Sequence, residues 1–395
     1  MIAELRALID KLSPALSAAF LEAIENLRTG IDFRQLLDAL RRGDLDAAVD
    51  ALNIDRGAFG GYVLERQSAF SQAGAVVAKD LTQERARAFR APSPPSLRAP
   101  ETLPDGPSRP PPPSPPSLSL DGPEPTRITF RFDMTNPRAE NRIRTEAGTR
   151  IAGYVDEQVE TARRVIADGF ARGEGPQTIA TDIAGRINPL SGRREGGIVG
   201  LSDPQAGYVK SMRERLLSGD PDEMTKVLGS FDRDGKWVDG TGMTLRDRRF
   251  DAQIKRAIAA VAKGKPNPLT RDKIDEMAAK YSDRLLKRRA EDIARTETAQ
   301  GVMLARAEAT QQALDKSGLT DAAVLKTWMH SGGPIHARDW HLAMNGKTAQ
   351  GLSAPFLLPD GSVMLHSHDP AGGVANNANC RCNTDFAIDW AFGLR

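Results

Sequence analysis

The sequence predicts an α+β fold, mainly α-helical: a helical body with a small β-rich module at its C-terminal end. Three observations predict it. Apolar residues recur at helical spacing in several stretches of the first 317 residues. After Gly318 the texture changes, with Trp328, Trp340 and Trp390 and the turn pairs Asn345-Gly346 and Asp360-Gly361 flanked by apolar residues, as in hairpins. All five histidines and both cysteines lie between His330 and Cys382, with none before them. Those side chains bind zinc, so the terminal module reads as stapled by a metal.

Taken in order, residues 1–90 read as a small helical bundle. Ser13-Pro14 has the form of an N-cap and first-turn proline, and Gly30 of a C-terminal stop. Between them Leu16, Phe20, Ala23 and Leu27 make one stripe; Leu36, Leu37 and Leu40, then Leu45, Val49 and Leu52, continue the pattern. Stripes this short stabilise one another by packing. Residues 91–126 hold 14 of the chain's 26 prolines, including Pro110 to Pro113 in a row, and read as an extended spacer.

Residues 127–317 form the mainly helical middle. Arg127 to Asp133 alternates like a strand through Ile128, Phe130 and Phe132. From Asn136 to about Arg186, Ile151, Val155, Val159 and Ile166 fall on helical spacing. The Gly- and Arg-rich stretch from Asn188 to Ser202 lacks the order of a phosphate-binding loop and reads as a plain loop. A second helical run from Arg271 to about Lys316 puts Leu286, Ala290, Ile293, Glu297, Gly301 and Leu304 on one face. Glu297 there either reaches solvent at the stripe's edge or is buried and needs a cation, with Arg338 or a neighbouring cation as the expected partner. Residues 318–395 are the β-rich His/Cys module.

Bulk composition narrows the function classes. At 395 residues with 40% hydrophobic and 27% charged content, the chain reads as a soluble protein of two or three domains. A net charge of +2 gives no global field that argues for nucleic acid or membrane. No run of about 18 apolar residues is present. The first twenty residues carry Glu4, Arg6, Asp10 and Lys11, unlike a signal peptide. Two cysteines one residue apart make a poor disulfide framework, so the chain reads as the product of a reducing cytoplasm.

On a strand, residues two apart share a face, which would put Met364, His366 and His368 opposite Val363 and Leu365. Cys380 and Cys382 project together in the same way. A His pair facing a Cys pair supplies four ligands for tetrahedral zinc. Taken singly, each histidine is better explained by ordinary hydrogen bonding, and each cysteine by its use as a small buried apolar group.

At these residues the chain resembles a known family. Trp328, then Arg338-Asp339-Trp340-His341, Asn345-Gly346, Asp369-Pro370 and Asn379-Cys380-Arg381-Cys382 are similar to the C-terminal signature of the phage Mu protein F-like minor head proteins, the phage head-morphogenesis family. Ala294-Arg295-Thr296-Glu297 is similar to the A-R-T-E helix that precedes that signature. Looser likeness covers residues 130–137 and 193–201, so the resemblance spans roughly 128–389 and is strongest after Arg295. The family's recurrent positions fall on Glu297, Trp328, Arg338, His341, Asn379, Cys380, Arg381 and Cys382. His366 and His368 stand where members often carry Pro and Gly, against the strand argument. The expected zinc ligands are therefore His341, Cys380 and Cys382, with His368 as the fourth.

The resemblance implies a low-copy structural protein of a tailed-phage head or prophage, found in the virion or in host cytoplasm during assembly. Its implied partners are the portal, with major capsid or scaffold proteins and packaged DNA as further ones, and no membrane. A rival reading is a zinc-dependent nuclease or toxin-like hydrolase, with Asp369 or Glu297 as base beside His366 and His368; two thiolates and the lack of H-E-x-x-H weigh against it. A DNA-binding zinc module is a third, though Arg338, Lys347 and Arg381 make a sparse phosphate track.

Overall fold

One helix organises the molecule. The computed structural model describes residues 2–89, 128–330 and 337–393. Within it α10 (Arg271–Ser317) runs unbroken for 47 residues, about 70 Å at 1.5 Å per residue. Thr270 caps its start by accepting from the Lys273 amide, and Gly318 ends it in the left-handed conformation at φ 66°. The predicted run from Arg271 to about Lys316 thus corresponds to one helix.

Against the first half of α10 packs the larger core. It draws on α1 (Ile2–Gly30), α2 (Phe33–Arg42), α3 (Leu45–Asp50), α5 (Pro137–Ala171), α6 (Pro176–Ala184) and α7 (Asp203–Leu217). Phe20, Phe59, Tyr62 and Tyr154 form an aromatic knot there, with ring centroids 5.6–6.3 Å apart. The first ninety residues were expected to stand as their own bundle. Instead their apolar stripes share this core with residues 151–294, because α1 and α4 (Gly60–Ala88) lie directly along α10.

Two local expectations are corrected. Helix α1 starts before Ser13-Pro14 and carries Pro14 inside it. Leu5, Leu8 and Ile9 from that first part pack into the second core, and their burial offsets the roughly 3 kcal/mol that an interior proline costs. Ser13 is not an N-cap; its hydroxyl donates to the Ile9 carbonyl at 2.6 Å. Residues 128–133 form no strand, and Arg127 lies outside the described residues. The Phe130 amide donates to Thr82 Oγ1 and the Asp133 amide to the Gln312 side chain, so helix side chains take the place of a neighbouring strand. Phe130 stacks on Trp390 and Phe132 tilts against Phe70, so both rings of the alternation find aromatic partners.

The Gly/Arg-rich stretch holds the second strand of a short hairpin, β1 (Arg186–Ile187) with β2 (Arg194–Glu195), and then a tight seam. A Cβ on Gly196 would lie 2.6 Å from the Ala279 side chain, and one on Gly200 2.5 Å from Ile24. Both residues have positive φ, so these glycines let the backbone press against α10 and α1. Beyond α7 come α8 (Pro221–Thr225), the hairpin β3 (Gly229–Phe231) with β4 (Trp237–Asp239), and α9 (Asp251–Val261). The Pro-rich spacer expected at 91–126 lies outside the described residues.

The module sits on the second half of α10. A three-stranded antiparallel sheet has the order β6 (Thr348–Gln350), β5 (Val324–Met329), β9 (Asn383–Ile388), and β7 (Phe356–Leu357) pairs with β8 (Val363–Met364). Short helices α11 (Asp339–Ala343) and α12 (Gly373–Asn377) complete it. Val324, Phe386, Ile388 and Trp390 join Val302, Leu314 and the N-terminal Leu5 in the second core. Arg306 of α10, fully buried, donates to the Thr384 carbonyl and pairs with Asp385 at 2.6 Å, fastening β9 to the helix.

Candidate metal centre

His341, Cys380 and Cys382 meet in the module's small core. Helix α11 presents His341, and the turn before β9 presents both cysteines; Trp328 of β5 closes the wall edge-on to the imidazole, centroids 5.6 Å apart. Their ligand atoms all lie within 4.8 Å of one another, and all three residues are buried. His341 Nδ1 stands 3.5 Å from Cys380 Sγ and 3.6 Å from Cys382 Sγ. A tetrahedral zinc with ordinary Zn–S and Zn–N bonds separates sulfur from nitrogen by about 3.6 Å. This cluster can hold a metal ion.

A second layer fixes the donors. Asn376 of α12 donates through Nδ2 to Asp360 and Ser362, so its Oδ1 is the acceptor, 2.9 Å from His341 Nε2. That bond places the proton on Nε2 and leaves Nδ1 as the lone pair facing the sulfurs. Trp340 Nε1 donates to the same oxygen at 2.8 Å. Burial disfavours the charged imidazole, but hydrogen bonds to Cys380 and Asn376 outweigh it, so the pKa of His341 is raised. The two thiols titrate as a pair. The hydrogen bond from Cys382, helped by His368 and His341, pulls Cys380 down to about 3; the same bond and burial push Cys382 up.

The other sequence-predicted residues are placed as follows. His368 stands outside the three-residue ligand group. Its Nε2 lies 3.1 Å from the Cys382 carbonyl, and its Nδ1 has no partner. Strand β8 stops at Met364, and His368 turns back with φ 61°, so strand geometry does not carry it to the sulfurs. His366 Nδ1 bonds the Ser367 carbonyl at 2.8 Å, and burial lowers its pKa to about 4. His336 lies outside the described residues. Arg338 donates to the Ala378 carbonyl at 2.9 Å and braces the turn ahead of Asn379. Asn379, itself at φ 53°, donates its amide to Thr296 Oγ1, joining the N-C-R-C turn to the A-R-T-E part of α10. Arg381 lines the groove between that turn and α1, alongside Arg295.

Glu297 is buried, and its cation is not Arg338. Arg66 of α4 approaches to 2.7 Å and Arg150 of α5 to 3.4 Å, while the Tyr154 hydroxyl donates to it at 3.2 Å. The carboxylate therefore ties three helices of the body together. It also lines a cavity whose far wall is Val374, Asn377 and Asn379 of the module.

The chain matches no family model, no curated protein and no solved structure. Its site rests on its own geometry.

Lys326 is the residue that sequence reasoning missed. It lies fully buried in β5, and its ammonium donates to the carbonyls of Leu352, Ala354 and Leu365 at 2.5–2.8 Å. One cation thus gathers the loops around β7 and β8, although burial lowers its pKa to about 8. A lysine at an inward position of the apolar alternation Val324-Leu325-Lys326-Thr327-Trp328 was the available signal.

Proposed function

We propose that the chain is a minor head-morphogenesis protein of a tailed phage or prophage. It acts by association with the portal and not by turnover, and one structural zinc ion holds its C-terminal module. The observation that carries the proposal is the meeting of His341, Cys380 and Cys382: the R-x-x-H and N-C-R-C motifs behind the family resemblance converge on one buried donor set. Two thiolates and an imidazole suit zinc, whereas magnesium and calcium prefer oxygen. The contact of Asn379 with Thr296 ties the A-R-T-E segment to the same place. No helix among the described residues is long and apolar enough to cross a membrane, which agrees with a place in the virion or the host cytoplasm.

The hydrolase alternative has less support, because its candidate bases are already engaged. Glu297 is neutralised by Arg66, and Asp369 accepts from the amides of Leu365 and Ala371. The test is co-expression of the full chain with a tailed-phage portal protein. Co-elution through size exclusion is expected, with major capsid protein, scaffold and packaged DNA as further partners to probe. Zinc-dependent cleavage of DNA or RNA by the pure chain, lost on His368→Ala or Glu297→Gln, would overturn the proposal.

A further inference from the structure

Three ligands leave a tetrahedral ion one position short, and two histidines compete for it. Neither has a nitrogen in the three-residue ligand group. His368 is held by the Cys382 carbonyl on one nitrogen, whereas His330 faces a sulfur. Its Nδ1 lies 3.6 Å from Cys382 Sγ, the same separation that His341 keeps from that sulfur. Strand β5 alternates inward at Val324, Lys326 and Trp328, and the two-residue period carries His330, one residue beyond the strand, to the same inward side. Its backbone is anchored there: the His330 amide donates to Asn345 Oδ1 at 2.8 Å, at the Asn345-Gly346 turn that joins α11 to β6.

We propose that His330 is the fourth ligand, closing a two-sulfur, two-nitrogen site with His341, Cys380 and Cys382. This rests on the metal reading above. The His330 imidazole already stands beside one of the two sulfurs. The site then takes its ligands from the end of β5, from α11 and from the turn before β9. Four protein donors leave no position for a water, so the ion is structural.

The experiment loads the full chain with Co(II), whose visible absorption reports coordination number and thiolate ligation. It compares the wild type with His330→Ala, His330→Cys and His368→Ala. The wild type is expected to bind one Co(II) with the intense bands of a tetrahedral site. His330→Ala should bind with weaker visible bands, as water enters, and release the ion to a chelator at least about tenfold faster, the usual scale for a weakened metal shell. His330→Cys should restore intensity and add thiolate charge-transfer absorption, which a misfolded variant would not do. His368→Ala should behave as the wild type. A His330→Ala spectrum and release rate equal to those of the wild type would overturn the assignment of His330 while leaving the three-ligand site standing. Failure of the wild type to bind Co(II) or zinc at all would overturn the metal reading itself.

Discussion

The helical body and the C-terminal module solve the same problem in opposite ways. The body buries leucine, isoleucine, valine and alanine stripes from eight helices against α10, and apolar area supplies most of its stability. The module's own core is seven residues, two of them cysteines, too few for that strategy. It relies on point fastenings instead: the His/Cys cluster, the Lys326 ammonium among three carbonyls, and Asn376 bonded on both ends of its amide. Area-based stability is spread over many side chains, whereas a fastening concentrates it in one. Single substitutions should therefore be tolerated along the body's stripes and be severe in the module.

The largest effect should come from Cys380→Ser or Cys382→Ser. Each is expected to abolish metal binding and to erase the near-UV dichroism of Trp328 and Trp340, while the helical signal at 222 nm survives. Full metal content in both variants, by elemental analysis, would remove the cluster from the comparison.

Next in size is Glu297→Ala, the one place where the body behaves like the module. It leaves Arg66 and Arg150 without their carboxylate, and Arg66 is itself buried. Breaking such a pair costs about 3–5 kcal/mol. Urea unfolding should show that loss across the whole body, and Arg66→Met combined with Glu297→Leu should recover most of it.

Lys326→Met should cost about 2 kcal/mol, because three carbonyls lose their donor at once. Hydrogen exchange should confine the effect to the loops around β7 and β8; a loss spread into α5 or α7 would show that the two regions are not energetically distinct.

The smallest effect concerns pH. Hydrogen bonding from Arg249, aided by Arg284, holds Asp247 at about 2, below its usual 3.8. A carboxylate held below its unfolded value stabilises the fold above that value, and the gain disappears as pH falls from about 4 to about 2. The exposed Arg249 end is screened by water, which leaves on the order of 1 kcal/mol. Asp247→Asn should flatten the acid limb of the stability profile by that amount.

What the sequence made legible follows the same division. Helix α10 showed itself through its stripe, and its capping by Thr270 and Gly318 is local chemistry. The cluster was legible because His341, Cys380 and Cys382 are chemically distinctive and concentrated in one short region. His368 was misplaced by extending a strand through a turn that its own positive φ creates. The partner of Glu297 was hidden because Arg66 comes from α4, far away in the chain, and no spacing rule connects them. Residues 128–133 alternated for a different reason than a strand does: Phe130 and Phe132 each meet a ring from another part of the chain.

Helix α10 also limits which changes of chain length the protein can accept. Adding one residue to a continuous helix turns everything beyond it by about 100° and advances it by about 1.5 Å. Because one half of α10 serves the body and the other serves the module, an insertion at its middle would swing the Arg306 anchor away from β9 and the Glu297 carboxylate away from Arg66. Between Arg271 and Ser317 the chain must keep count of its residues.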